Sequence, residues 1–118
     1  MKFYVSHIVG YDNIAKIDLI GEMNSSTWPE MEQKLSEQVK QSTQKFFLYD
    51  FHKTSFLNST VIGFFINLMR EAEKTRKQIL FVDLHPNIAE IFQLVGMEKV
   101  VKIFPDTIEA VESITNYK

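Results

Sequence analysis

Two short runs, KFFLYDF at 45–51 and KQILFVDL at 77–84, are apolar at nearly every position rather than at alternate ones. A half-exposed strand alternates, whereas a strand covered on both faces reads as a continuous hydrophobic run. Helical periodicity follows each run, over about 59–75 after the first and from Pro86 after the second. Such strand–helix alternation requires right-handed crossovers onto a mostly parallel sheet.

The segments around these runs complete the outline. KFYVSHIV and IAKIDLIG alternate in the manner of half-buried strands, and GYDN between them is turn chemistry, so they read as a hairpin that makes the sheet mixed. In EMNSSTWPEMEQKLSEQVKQ, Thr27 and Glu30 have capping-box spacing, Pro29 suits a first helical turn, and Met31, Leu35 and Val39 repeat every four residues. Gly96 is placed to stop the helix that Pro86 opens, KVVKIF reads as a short last strand, and Pro105 with Asp106 opens a final helix in which Asp106 and Glu109 repeat the capping-box spacing. The expected fold is an α/β domain over 1–118 with a mixed, mostly parallel sheet of four to five strands and about four helices, in the order β β α β α β α β α. A chain of 118 residues is the size of one such domain.

Charge and residue usage narrow the function. Thirteen basic against 15 acidic side chains leave a net charge of −2, so no general field draws the chain to nucleic acid or anionic lipid. No apolar run approaches the roughly 18 residues that span a bilayer, and the start lacks the apolar core of a signal peptide. A cytoplasmic protein without membrane insertion is expected. Cysteine is absent, which excludes disulfides and thiolate chemistry, and His7, His52 and His85 fall in separate segments, so no metal site is expected. Asp18, Glu22, Asp50 and Asp83 read as scattered strand-end acids, solvated or capping, and no nucleophile stands beside a histidine, which argues against an enzyme.

SFLNSTVIGFF, 55–65, is the stretch most suggestive of function. Asn58, Ser59 and Thr60 precede an apolar helix start, and all three are preferred capping residues. At 100° per residue, Asn67, Arg70, Glu71 and Lys74 share the side of Gly63, while Val61, Ile62, Phe65, Leu68, Met69 and Ala72 form the buried stripe. Glycine on an exposed helical face costs about 0.5–1 kcal/mol relative to alanine. Either a neighbouring loop packs there or an outside partner approaches closely, with Phe64 and Ile66 as a partly apolar border.

LYDFHKTSFLNSTVIG resembles the segment of STAS domains, the anti-sigma factor antagonist family, that runs from a strand ending in Asp through a short loop to Asp-Ser-(Ser or Thr)-Gly-hydrophobic-Gly. Asp50 matches the strand Asp, Asn58 the motif Asp, Ser59 the phosphorylated serine, Thr60 the next hydroxyl and Gly63 the second glycine; Val61 stands at the first. IGEMNSST is similar to the family's Gly-Glu-hydrophobic-Asp segment, with Asn24 at the acidic position. LVGMEKVVKIFPDTIEAV is similar to its closing helix, strand and helix.

The resemblance implies a non-enzymatic switch without a cofactor. Its unphosphorylated form would bind a serine kinase that is also an anti-sigma factor, phosphorylation at Ser59 would end that binding, and a serine phosphatase would restore it. Asn24, Asn58, Thr60, Gly63, Phe64 and Asn67 are the expected partner-binding residues. Two alternatives stand beside it: a constitutive scaffold or transport-associated module without phosphorylation, and a receiver-like domain phosphorylated on Asp50.

Overall fold

A computed structural model describes residues 2–24 and 26–115. The elements are β1 (Lys2–Ile8), β2 (Tyr11–Met23), α1 (Trp28–Gln41), β3 (Phe46–Asp50), β4 (Thr54–Leu57), α2 (Ser59–Lys74), β5 (Gln78–Val82), α3 (Pro86–Leu94), a short 3-10 turn at Met97–Lys99, β6 (Lys102–Phe104) and α4 (Thr107–Thr115). The sheet order is β1-β2-β3-β5-β6; β1 pairs antiparallel with β2 and the other pairs are parallel. This is the expected mixed α/β architecture with its four helices.

The two apolar runs take the centre. β3 lies between β2 and β5, and its side chains divide between the faces. Phe47 and Tyr49 join Phe81, α1, α2 and α3 on one side; Leu48 joins Leu80, Val82 and α4 on the other. The buried stripe of α2 consists of Val61, Ile62, Phe65, Leu68, Met69 and Ala72, as the helical periodicity predicts.

Lys77 closes the α1 side of this layer. It is buried, and its Nζ donates to the carbonyl oxygens of Val39 at 2.6 Å and Ser42 at 2.7 Å, so a cation sits where the last helical carbonyls of α1 concentrate negative potential. Burial, and then the nearby Lys45 charge, hold its pKa below the usual lysine value.

Three local expectations are corrected. The hairpin turn is shorter than GYDN, because β2 begins at Tyr11. The stretch after Asp50, read as a loop, contains β4, a sixth strand that pairs parallel with the far end of β2. β2 reaches 13 residues because it changes partner along its length, pairing with β3 through Asp18 and with β4 from Gly21 onward. At the changeover the register shifts and Gly21 adopts φ 109°, a conformation that glycine takes without penalty.

The third correction concerns the start of α1. Thr27 is the N-cap residue, but its side chain makes no capping bond; its hydroxyl donates instead to the Glu22 carbonyl at 2.7 Å. At α4, by contrast, the Glu109 N–H donates to Asp106 Oδ1 at 2.8 Å, the half of the expected capping box that closes the first turn.

Candidate functional site

β4 brings together two loops that are 34 residues apart in the chain, those of Asn24 and Asn58. Met23, the last residue of β2, faces Leu57, the last of β4, and the Asn58 N–H donates to the Met23 carbonyl at 3.1 Å. Both asparagines therefore leave the carboxyl ends of adjacent parallel strands side by side. In open α/β sheets that edge is where sites form.

Asn58 takes the cap of α2. Its backbone is extended, and its Oδ1 accepts from the Thr60 N–H at 3.1 Å and the Val61 N–H at 3.4 Å, two of the donors that a helix start leaves unpaired. With the cap supplied by Asn58, Ser59 occupies the first helical position, and it is exposed. Thr60 is exposed beside it, while Val61 turns its side chain wholly into the core, away from Ser59.

Asn24 organises the neighbouring turn. Its Oδ1 accepts from the Ser26 N–H at 3.0 Å, the Ser26 hydroxyl at 2.8 Å and the Thr27 N–H at 3.1 Å, and its Nδ2 donates to Glu22 Oε2 at 3.3 Å. An amide oxygen performs this capping without bringing a formal charge. Immediately after, Trp28 packs edge-on against Phe64 with ring centroids 5.0 Å apart and tilts against Phe65 at 5.8 Å. That contact fixes the first turn of α1 against the second turn of α2.

The outer face of α2 is open as well. A Cβ placed on Gly63 would meet nothing within 4 Å, so no neighbouring loop packs on it. Phe64 is half-buried and Asn67 exposed, so Ser59, Thr60, Gly63 and Asn67 form an accessible strip with an aromatic border.

A second cluster was not legible as one. Lys16 and Asp18, where β2 stops pairing with β3, stand beside Asp50 at the end of β3 and Asp83 just after β5, so three of the four acids are gathered, while Glu22 lies apart beside Asn24. Asp50 is only 5% exposed: its Oδ2 lies 3.3 Å from Lys16 Nζ, and its Oδ1 accepts the His52 N–H at 2.7 Å. Lys16 also lies 3.6 Å from Asp18. Burial works against the Lys16 ammonium, but attraction to Asp18 and Asp50 outweighs it and raises its pKa. The Asp83 carboxyl is pushed above the ordinary carboxylate range by burial first, then by repulsion from and hydrogen bonding to Asp50. His52 and His85, from separate segments, stack with centroids 5.9 Å apart. With both oxygens engaged and its side chain buried, Asp50 ties β3 to β2 and to the following turn and is not displayed as an acceptor.

Comparison with known proteins agrees with the fold. A family model described as the STAS domain matches residues 6–110. An anti-sigma-B factor antagonist of Staphylococcus aureus is 20% identical over 92 residues, covering 78% of this chain and 84% of that protein. Among solved structures, an anti-sigma factor antagonist from Mycobacterium paratuberculosis superposes with a TM-score of 0.83 at 19% identity, over 97% of this chain and 93% of that one. The antagonist SpoIIAA is similar in both its unphosphorylated form, with a TM-score of 0.71 at 20% identity over 98% of this chain and all of that one, and its phosphorylated form from Bacillus, with 0.67 at 21% over 96% and 99%.

Proposed function

The chain belongs to the STAS domain family, and from that premise we propose that it is a phosphorylation-gated anti-sigma factor antagonist with Ser59 as the acceptor. In this reading the unmodified strip formed by Asn24, Asn58, Thr60, Gly63, Phe64 and Asn67 binds a serine kinase that is also an anti-sigma factor. The transferred phosphate ends that contact, and a serine phosphatase removes it. The protein has no catalytic role; it acts in the cytoplasm by changing partners.

One observation carries the reading: Asn58 supplies the α2 cap, so the exposed Ser59 hydroxyl is spared for chemistry. Among the described residues that hydroxyl has no hydrogen-bond partner. A phosphoester there sits at the positive end of the α2 dipole, where an anion is stabilised by about 0.3–1 kcal/mol, so modification leaves the fold intact. It also brings roughly two negative charges to a strip that carries none, enough to repel a phosphate-bearing partner such as a nucleotide-loaded kinase.

The test is phosphorylation by the serine kinase with which this chain is co-expressed in its own cell, with the label mapped by mass spectrometry. Label on Ser59, absent from Ser59→Ala, supports the reading. Tight kinase binding with no label on any hydroxyl overturns it in favour of the constitutive scaffold.

A further inference from the structure

Beside the Ser59 strip, α1 and α2 leave a groove of about 480 Å³ along their shared side. We propose that this groove seats an amphipathic helix of the partner, apolar along one ridge and flanked by lysine or arginine. The proposal rests on the partner-binding reading only for where that partner stands.

The shape of the groove selects a helix. Both helices follow parallel strands and return to parallel strands, so they run in the same direction across one face of the sheet. From α1 the lining includes Gln33, Glu37 and Lys40, with Glu32 beside them; from α2 it includes Phe64, Leu68 and Glu71. Gln33, Glu37 and Lys40, like Phe64, Leu68 and Glu71, recur at the three-, four- and seven-residue spacings that put side chains on one helical face. Two adjacent helices offer ridges and grooves for a third. They offer no free backbone donors or acceptors along their length, so an extended peptide would leave its own N–H and C=O groups unpaired there, whereas a helix satisfies them internally.

Its charge selects a basic occupant. Three carboxylates, Glu32, Glu37 and Glu71, line the groove against one ammonium, Lys40, whose Nζ lies 3.7 Å from Glu71. Glu32 and Glu37 have no ion-pair partner among the described residues, and both are exposed at the rim. Half-buried Phe64 supplies the apolar floor, with Leu68 buried beneath the surface beside it and Trp28 packed edge-on against the Phe64 ring. An apolar floor between acidic rims is complementary to an apolar ridge between basic flanks.

The groove is continuous with the Ser59 strip through Phe64 and Asn67, yet separable from it in energy. Phe64 is five positions beyond Ser59, about 7 Å along the axis, and Glu71 is about 18 Å away, beyond a Debye length of roughly 8 Å in physiological salt. Charge on Ser59 should therefore change groove binding less than about twofold.

The experiment uses isotope-labelled full chain titrated, in NMR, with synthetic peptides of about 14 residues, long enough to follow α1. One peptide places leucines on a single ridge with lysines beside it, a second has the same composition scrambled, and a third replaces lysine by glutamate. The expected result is amide shifts confined to the α1 and α2 rims with the first peptide alone, and binding weakened about fourfold in the E32Q/E37Q double variant, roughly twofold per rim charge. Equal binding of the scrambled peptide, shifts on β1 or α4, no binding, or an unchanged double variant overturns the proposal. Repeating the titration with Ser59→Asp separates the two readings: groove binding persists there whether or not Ser59 is the phosphoacceptor.

Discussion

The Asn58 N–H donates to the Met23 carbonyl oxygen at 3.1 Å, one residue beyond the point where Met23 and Leu57 pair. Through this bond the end of β2 sets the start of α2, so the turn holding Asn24 and the cap holding Asn58 are positioned by one pair of strands. The Trp28 ring against Phe64 repeats the tie one helical turn further on.

Asn58→Ala removes the acceptor of two helix-start N–H groups and should lower stability by about 1 kcal/mol. Asn58→Asp keeps the acceptor and adds a negative charge at the positive end of α2, so it should match or exceed the parent by about 0.3–1 kcal/mol. Urea denaturation of the three proteins checks both, and an alanine variant as stable as the parent would remove Asn58 from the cap.

Gly63→Ala separates folding from binding. With nothing within 4 Å of the added methyl, helix propensity alone acts, and stability should rise by about 0.5–1 kcal/mol. If the open face of α2 is where the partner docks, the same methyl should weaken that docking severalfold. A variant that is more stable and binds equally well would move the interface elsewhere.

The α2 face was legible in the sequence because a 16-residue helix gives its period four turns in which to repeat. β3 and β5 were legible from their unbroken apolar runs. β4 was not: Thr54, Ser55, Phe56 and Leu57 show no alternation, with the outer two buried and the inner two exposed, and the strand exists because β2 has pairing capacity left beyond β3. The Thr27 hydroxyl likewise goes to the Glu22 carbonyl, five residues back across the turn that Asn24 organises, a contact that capping-box spacing does not encode. The grouping of Lys16 with Asp50 depends on the register between β2 and β3, which no single strand encodes.

Lys77→Met should cost about 2–3 kcal/mol, because carbonyls at the end of α1 lose a buried donor. Thermal unfolding measures the loss, and Lys77→Arg should recover only part of it, since a planar guanidinium cannot reproduce the ammonium's two short contacts. A methionine variant with unchanged stability would mean that water replaces the ammonium without cost.

Asp83 supplies a pH signature. Its folded-state pKa is raised above the ordinary carboxylate range, so the folded chain holds that proton more tightly than the unfolded one. Its contribution to stability is therefore fully present below about pH 4 and is lost as pH rises through the raised value. Asp83→Asn retains a group tolerant of the φ of 58° at this position, and it should raise the melting temperature at pH 7 by about 2 °C, with the gain vanishing near pH 3. Parallel melting curves at the two pH values decide; a gain that persists undiminished in acid contradicts the assignment.

The most direct measurement is isothermal titration of the serine kinase and anti-sigma factor partner with the chain phosphorylated on Ser59 and with the unmodified chain, both confirmed folded by circular dichroism. The account predicts that the phosphorylated chain binds at least about tenfold more weakly, a difference of about 1.4 kcal/mol or more. Equal affinity of the two forms would contradict it.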